Sequence, residues 1–130
     1  MNMNNNKMQL RQSLPVNIKN SIKETKNTLN KLFSGICKII LFGFYAKGDF
    51  SEYSDIDLLI IFNELKDKQR IRDKYSQRIS EICLKYNCVV TIVLTKKEHF
   101  YNAKNPLFLN IIRIDDVKNS RNLYKQRIKY

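Results

Sequence analysis

Asp55 and Asp57 are the residues of this chain whose type and spacing most directly invite chemistry. They open the run Asp-Ile-Asp-Leu-Leu-Ile-Ile-Phe (residues 55–62), continuously apolar after the second carboxylate, which reads as a central strand entered from a polar end. Two residues apart on a strand, both side chains leave the same face, with Cα atoms about 6.7 Å apart. Carboxylates so placed can share a divalent ion, and oxygen ligands of this kind suit Mg²⁺. Two anions at the mouth of an apolar strand are costly unless a cation or hydrogen-bond donors compensate them. For a bare Asp-x-Asp the plainer role is the commoner one: a pair of strand-end aspartates capping backbone amides.

The preceding segment changes that balance. Gly43-Phe44-Tyr45-Ala46-Lys47-Gly48 follows directly on the β-branched and aromatic run of residues 37–42. A glycine there lets the backbone approach a phosphate, while amides at a helix start point toward it. Lys47 can add a positive charge for a triphosphate, and Gly48-Asp49 can turn the chain back toward the sheet. An ordinary tight turn with an exposed lysine would use the same residues.

Gly43-Phe44, ten residues, then Asp55-Ile56-Asp57 resembles the Gly-Ser, ten residues, Asp-x-Asp signature of nucleotidyltransferases. Residues 41–62 are similar to the Gly-Ser-x-Ala-Arg-Gly and Ser-Asp-x-Asp-Leu blocks of the minimal nucleotidyltransferases of the DNA polymerase beta superfamily, with Ala46, Gly48, Ser54 and Leu58 also in register. The resemblance implies a nucleotidyltransferase fold of the α/β (α+β) class, a small mixed β-sheet flanked by helices. It implies Asp55 and Asp57 as catalytic metal ligands for Mg²⁺, ATP as substrate, and Gly43, Phe44, Lys47 and Ser54 at the nucleotide. Two departures matter. Phe44 stands where the family has a serine whose hydroxyl contacts a triphosphate oxygen, and Lys47 replaces an arginine, keeping the charge while losing the bidentate fork. The family also commonly carries a third carboxylate on a later strand, but residues 87–94 contain no Asp or Glu, and Thr91 is the only hydroxyl there.

The elements that must position these residues follow from periodicity. Pro15 suits a first helical turn, and Ile18, Ile22, Leu29 and Phe33 recur at helical intervals until Gly35. Residues 37–42 predict a buried strand, residues 43–54 a turn-rich connection, and residues 66–86 a long surface helix with Ile71, Tyr75, Ile79, Ile82 and Tyr86 on one face and Asn87 as its stop. Residues 89–94 predict a third strand. Thr95 with Glu98 forms a capping-box signature for a following helix, and Pro106 starts a short apolar segment. Residues 115–124 suit a short edge strand. The three strands are expected side by side, with Asp55 and Asp57 at an open cleft. A flexible arm over residues 1–14, a nucleotidyltransferase domain over 15–124 and a basic tail over 125–130 complete the division.

At 130 residues one domain is expected. No apolar run reaches the roughly 20 residues of a membrane span, and the polar start lacks the apolar stretch of a signal peptide, so a cytoplasmic location is expected. Cys37, Cys83 and Cys88 are an odd number without metal-ligand spacing and read as reduced core residues; His99 reads as a surface residue. A net charge of +12 favours an anionic partner, and direct nucleic-acid binding and a solvated basic surface are equally open. The charge is spread along the chain, and the tyrosines do not form an RNA-binding box.

Three functions compete. The resemblance implies Mg-dependent transfer of AMP from ATP to a hydroxyl of a partner protein, as in minimal nucleotidyltransferase antitoxins that adenylylate a HEPN-type toxic ribonuclease. Phe44 and the missing third carboxylate favour a degenerate member that neutralises a partner by binding alone. Transfer to a small molecule such as an aminoglycoside ranks lower, because no second domain is present to build that pocket. Acceptor, base specificity and homo-oligomerisation are not legible in the sequence.

Overall fold

The computed structural model describes residues 13–112 apart from residue 103. Its elements run α1 (Val16–Leu32), β1 (Ile36–Phe42), α2 (Gly43–Lys47), β2 (Ile56–Phe62), α3 (Lys68–Tyr86), β3 (Val90–Lys96), α4 (Lys97–Tyr101) and α5, described over residues 106–112. The three strands form one mixed sheet in the order β1-β2-β3, antiparallel between the first pair and parallel between the second. This is the small α/β arrangement expected from the sequence.

Strand β2 is central, and its alternation divides the core in two. Ile56, Leu58, Ile60 and Phe62 face α1 and α3 and pack with Ile18, Ile22, Leu29, Tyr75, Ile79 and Ile82. Leu59 and Ile61 face the other way, against Ile40, Phe100 and Ile111. Both faces of β2 are therefore covered beyond Asp57, which is why its sequence reads as an unbroken apolar run. Ser21 and Thr25, polar in type, are fully buried on α1, where small side chains let α3 pack closely. Asn17 Nδ2 donates to the Tyr86 carbonyl at 2.9 Å, and Lys85 pairs with Glu24 at 3.2 Å, so α1 and α3 are tied at their exposed edge.

Helix boundaries follow local chemistry. The α3 N-cap is Asp67, whose Oδ1 accepts from the Arg70 amide at 3.2 Å, and Asn87 ends the helix in the left-handed region at φ 52°. Asn105 Oδ1 accepts from the Leu107 amide at 2.8 Å, with Pro106 as the first residue of α5.

Several expectations change. The 43–54 connection is not all turn, since its first five residues form α2. The capping box at Thr95 does not form: β3 runs on to Lys96, Thr95 is buried opposite Ile61, and Lys96 is the N-cap of α4 without a side-chain cap. Cys37 is exposed rather than core, because it lies at the start of the edge strand beside the β1 register shift between Ile36 and Lys38; Cys83 and Cys88 are half-buried and all three are free thiols. His99 is exposed as expected. The edge strand expected at residues 115–124 lies outside the described residues. Among the described residues no helix is long and apolar enough to cross a membrane.

Candidate active site

Strand pairing brings the two motifs together. Phe42 at the end of β1 is the partner of Asp57 on β2, so the next residue, Gly43, starts its turn directly beside that carboxylate. The contact is close enough to require glycine twice over. Gly43 has φ +78°, and a Cβ built there would collide with Asp57 Oδ2 and lie 3.2 Å from Asp57 Cγ. Backbone and carboxylate share a space that no side chain can enter.

The turn is fixed from behind. Tyr45 is buried in the α1–α3 core and stacks on Phe50, with ring centroids 4.7 Å apart and planes at 29°. Gly48, at φ 80°, closes α2 in the left-handed conformation, and its amide and that of Asp49 both donate to the Phe44 carbonyl, the latter at 3.1 Å. These contacts leave Phe44 itself outside: the residue is 59% exposed. Lys47 is exposed on the last turn of α2.

Asp55 is delivered by a second tight loop. Ser54 Oγ accepts from the Ser51 amide at 2.9 Å, and the Ser54 amide donates to the Ser51 carbonyl at 3.1 Å. Ile56 then locks into the sheet, fully buried, with its amide donating to the Val89 carbonyl at 2.8 Å. Asp55 is exposed and Asp57 half-buried. Burial, and secondarily the charge of Asp55, push the Asp57 carboxyl above the usual carboxylate range. Burial also raises the Tyr45 phenol, with Cys88 and Asp55 adding to the effect.

Among the described residues neither carboxylate has an ion-pair or hydrogen-bond partner. Two neighbouring carboxylates without a partner among the described residues fit a hard divalent cation, for which Asp55 and Asp57 would supply oxygen ligands. They would not complete the shell: no group of three His, Cys, Asp or Glu side chains is assembled among the described residues. On β3 the residue in register with Asp57 is Thr91, exposed and on the same sheet face. It therefore occupies the neighbouring-strand position from which a third carboxylate would reach the pair.

The six residues singled out from the sequence thus fall on one strand–turn–strand unit. Gly43 and Asp57 touch; Phe44, Lys47, Ser54 and Asp55 lie on the two connections that flank them. The Tyr45–Phe50 stack was not legible as part of the site, since both rings read as ordinary apolar residues and only their packing under the turn gives them a positioning role.

The state of Asp57 yields an expected pH dependence. An acid whose folded pKa is raised contributes stability that is present below its ordinary value of 3.8 and lost as pH rises through the raised value. In metal-free buffer at neutral pH, Asp57→Asn should therefore unfold at a higher temperature than the wild type, the gap closing on acidification. Added Mg²⁺ should raise the wild-type midpoint and leave that variant unmoved. Thermal unfolding at several pH values, with chelator and with Mg²⁺, measures both.

Comparison with known proteins locates the unit. The profile of the nucleotidyltransferase domain matches residues 22–124. A protein of Methanocaldococcus jannaschii provisionally named a protein adenylyltransferase is 40% identical over 80 residues, covering 58% of this chain and 77% of its own length. A second from the same organism, with the same provisional name, is 38% identical over 91 residues, 69% of this chain and 85% of its own. A third is 33% identical over 105 residues, 76% and 71% of the two chains. The profile spans every residue of the carboxylate site and most of both core layers, and the relatives cover most of their own lengths; the chain belongs to the nucleotidyltransferase domain family.

Proposed function

We propose that this nucleotidyltransferase transfers AMP from ATP to a hydroxyl group of a partner protein. The observation that carries the reading is the contact between the Gly43 turn and the Asp57 carboxylate, which sets a backbone able to approach phosphate against an acidic pair without a cationic partner among the described residues. The acceptor oxygen attacks the α-phosphorus, the bond from that phosphorus to the bridging oxygen breaks, pyrophosphate leaves and the hydroxyl proton passes to solvent. In this reading Asp55 and Asp57 hold Mg²⁺, which when bound would polarise the phosphate and offset its charge. The amides of Gly43 and Phe44 and the ammonium of Lys47 would orient the triphosphate. Ser54 would act through the loop it pins, holding Asp55 in place. The protein acceptor is supported by the names of the relatives. On the family resemblance its identity is a HEPN-type toxic ribonuclease, which would make the chain a cytoplasmic antitoxin.

A second reading, neutralisation by binding without turnover, is favoured by Phe44 in the serine position and by Thr91 in the strand position next to Asp57. Incubating the chain and the product of its neighbouring gene with α-labelled ATP and Mg²⁺, then locating the label by mass spectrometry, separates the two. Label on a side-chain hydroxyl supports transfer. Tight complex formation with ATP bound and no label supports the second reading.

Exposure of Phe44 gives a further expectation. Because Phe44 is mostly exposed, Phe44→Ser should leave the unfolding temperature nearly unchanged. The new hydroxyl should strengthen ATP binding by about 0.5–1.5 kcal/mol, the worth of one neutral hydrogen bond. Calorimetric titration with ATP and Mg²⁺ tests it, and a weaker-binding serine variant would mean that Phe44 itself contacts the nucleotide.

A further inference from the structure

Beside Asp55 the surface opens into a cleft of about 700 Å³ between the start of α1, the end of α3 and the loop leading to β2. Its lining is anomalous for this protein. Among the described residues no Lys or Arg lines the cleft of this strongly basic chain, and its ionisable walls include the carboxylates of Glu52 and Asp55. Large apolar side chains stand out at its walls: Tyr53 is 85% exposed, Leu84 83% and Val89 55%, with Val16 next to the lining residues Pro15 and Asn17 and also exposed. These four are half of the eight large hydrophobic residues exposed among the described residues, gathered at the end of the molecule that holds the carboxylates. Apolar side chains gathered on a surface mark an interaction site.

Beyond Asp55, which in the reading above faces the metal, the cleft would offer a triphosphate only Glu52, apolar walls and, among the described residues, no cation. We infer that the cleft docks the acceptor: a polypeptide segment in which the modified hydroxyl residue is flanked by an apolar side chain and a basic one. The apolar residue covers Leu84 and Val89, the basic residue pairs with Glu52, and the hydroxyl reaches past Asp55 to a nucleotide held at the Gly43 turn, whose Tyr45 forms part of the cleft wall. A polypeptide fits better than a small polycation, because four protruding apolar side chains would stay wet around a sugar-like ligand. The inference rests on the transferase reading above and deepens it by assigning where the acceptor docks and which side chains flank its hydroxyl.

The test separates the two. A short fluorescent peptide with a central tyrosine between leucine and arginine, and a matched peptide with glycine and glutamate in their place, are titrated onto the full chain by anisotropy. ATP with Mg²⁺ is titrated separately by calorimetry. The basic, apolar peptide should bind at least about tenfold more tightly than its acidic match, and the pair Glu52→Lys with Leu84→Lys should abolish that preference with ATP affinity unchanged. Both positions are on the surface, so the fold should survive, and an unchanged ATP titration reports that it has. Equal binding of the two peptides overturns the inference and leaves the transferase reading standing. Loss of ATP binding in the lysine pair, with peptide binding retained, overturns it by making the cleft a nucleotide site. Kanamycin displacing the peptide and accepting label in its place overturns it in favour of a small polycation. Selective peptide binding by a chain that binds no ATP upholds the docking surface and sinks the transferase reading.

Discussion

Replacing both Asp55 and Asp57 with asparagine should abolish AMP transfer, by about 10³-fold or more, while the chain remains folded. Loss of a single preorganised electrostatic contact in an active site typically costs roughly 10²–10³ in rate, and here two charged groups are removed together. Stability should not suffer. The carboxylates have no partners to lose among the described residues, and the burial and like charge that raise the Asp57 pKa are both relieved in the neutral variant. Far-UV circular dichroism and thermal unfolding should therefore match or exceed the wild type, with calorimetry showing no Mg²⁺-dependent ATP binding. Full ATP affinity in the double variant would make the aspartates structural and remove the basis of the enzymatic reading.

Gly43→Ala should damage fold and site together, which a single methyl group seldom does. At φ +78° an L-residue is strained, at a cost of about 1–3 kcal/mol. The methyl must also displace the Asp57 carboxylate, because the position it would take is already occupied by Oδ2. Either Asp57 rotates away from Asp55, or the start of α2 separates from β2. In both cases ATP binding in the presence of Mg²⁺ should weaken about tenfold or more. Gly35→Ala is the control: an added Cβ there meets nothing within 4 Å and the residue has no positive φ, so a neutral result or a gain of about 0.4–1 kcal/mol is expected. Comparing denaturant midpoints and ATP titrations of the two alanine variants checks the prediction. A Gly43→Ala chain with wild-type ATP affinity would show that the close approach to Asp57 has no part in the site.

Much of this was legible in the sequence because it depends on local pattern. The alternation of residues 55–62 with its two leading carboxylates, the helical recurrence of Ile18, Ile22 and Leu29, and the stop at Asn87 are each set by interactions within a few residues. The same holds for the motif spacing that placed Gly43 and Asp57 in one unit. The failures share a cause. Cys37 and Thr95 carry the same apolar or capping signals whether they face core, solvent or a neighbouring strand, and strand pairing across the chain decides which.

The sequence by itself determined which residues could do chemistry and that a strand, a turn and a strand carry them. Only the tertiary structure decided how they meet. Antiparallel register sets Phe42 opposite Asp57 and so drives Gly43 against its carboxylate, while parallel register sets Thr91 on its other side. The Tyr45–Phe50 stack fills the space under α2 and turns Phe44 out to solvent. Parallel pairing of β2 with β3 sets Val89, and with it the end of α3 that carries Leu84, beside Asp55, more than 25 residues earlier in the chain. Contacts between residues so far apart follow from how the layers pack, and no local run of residues records them.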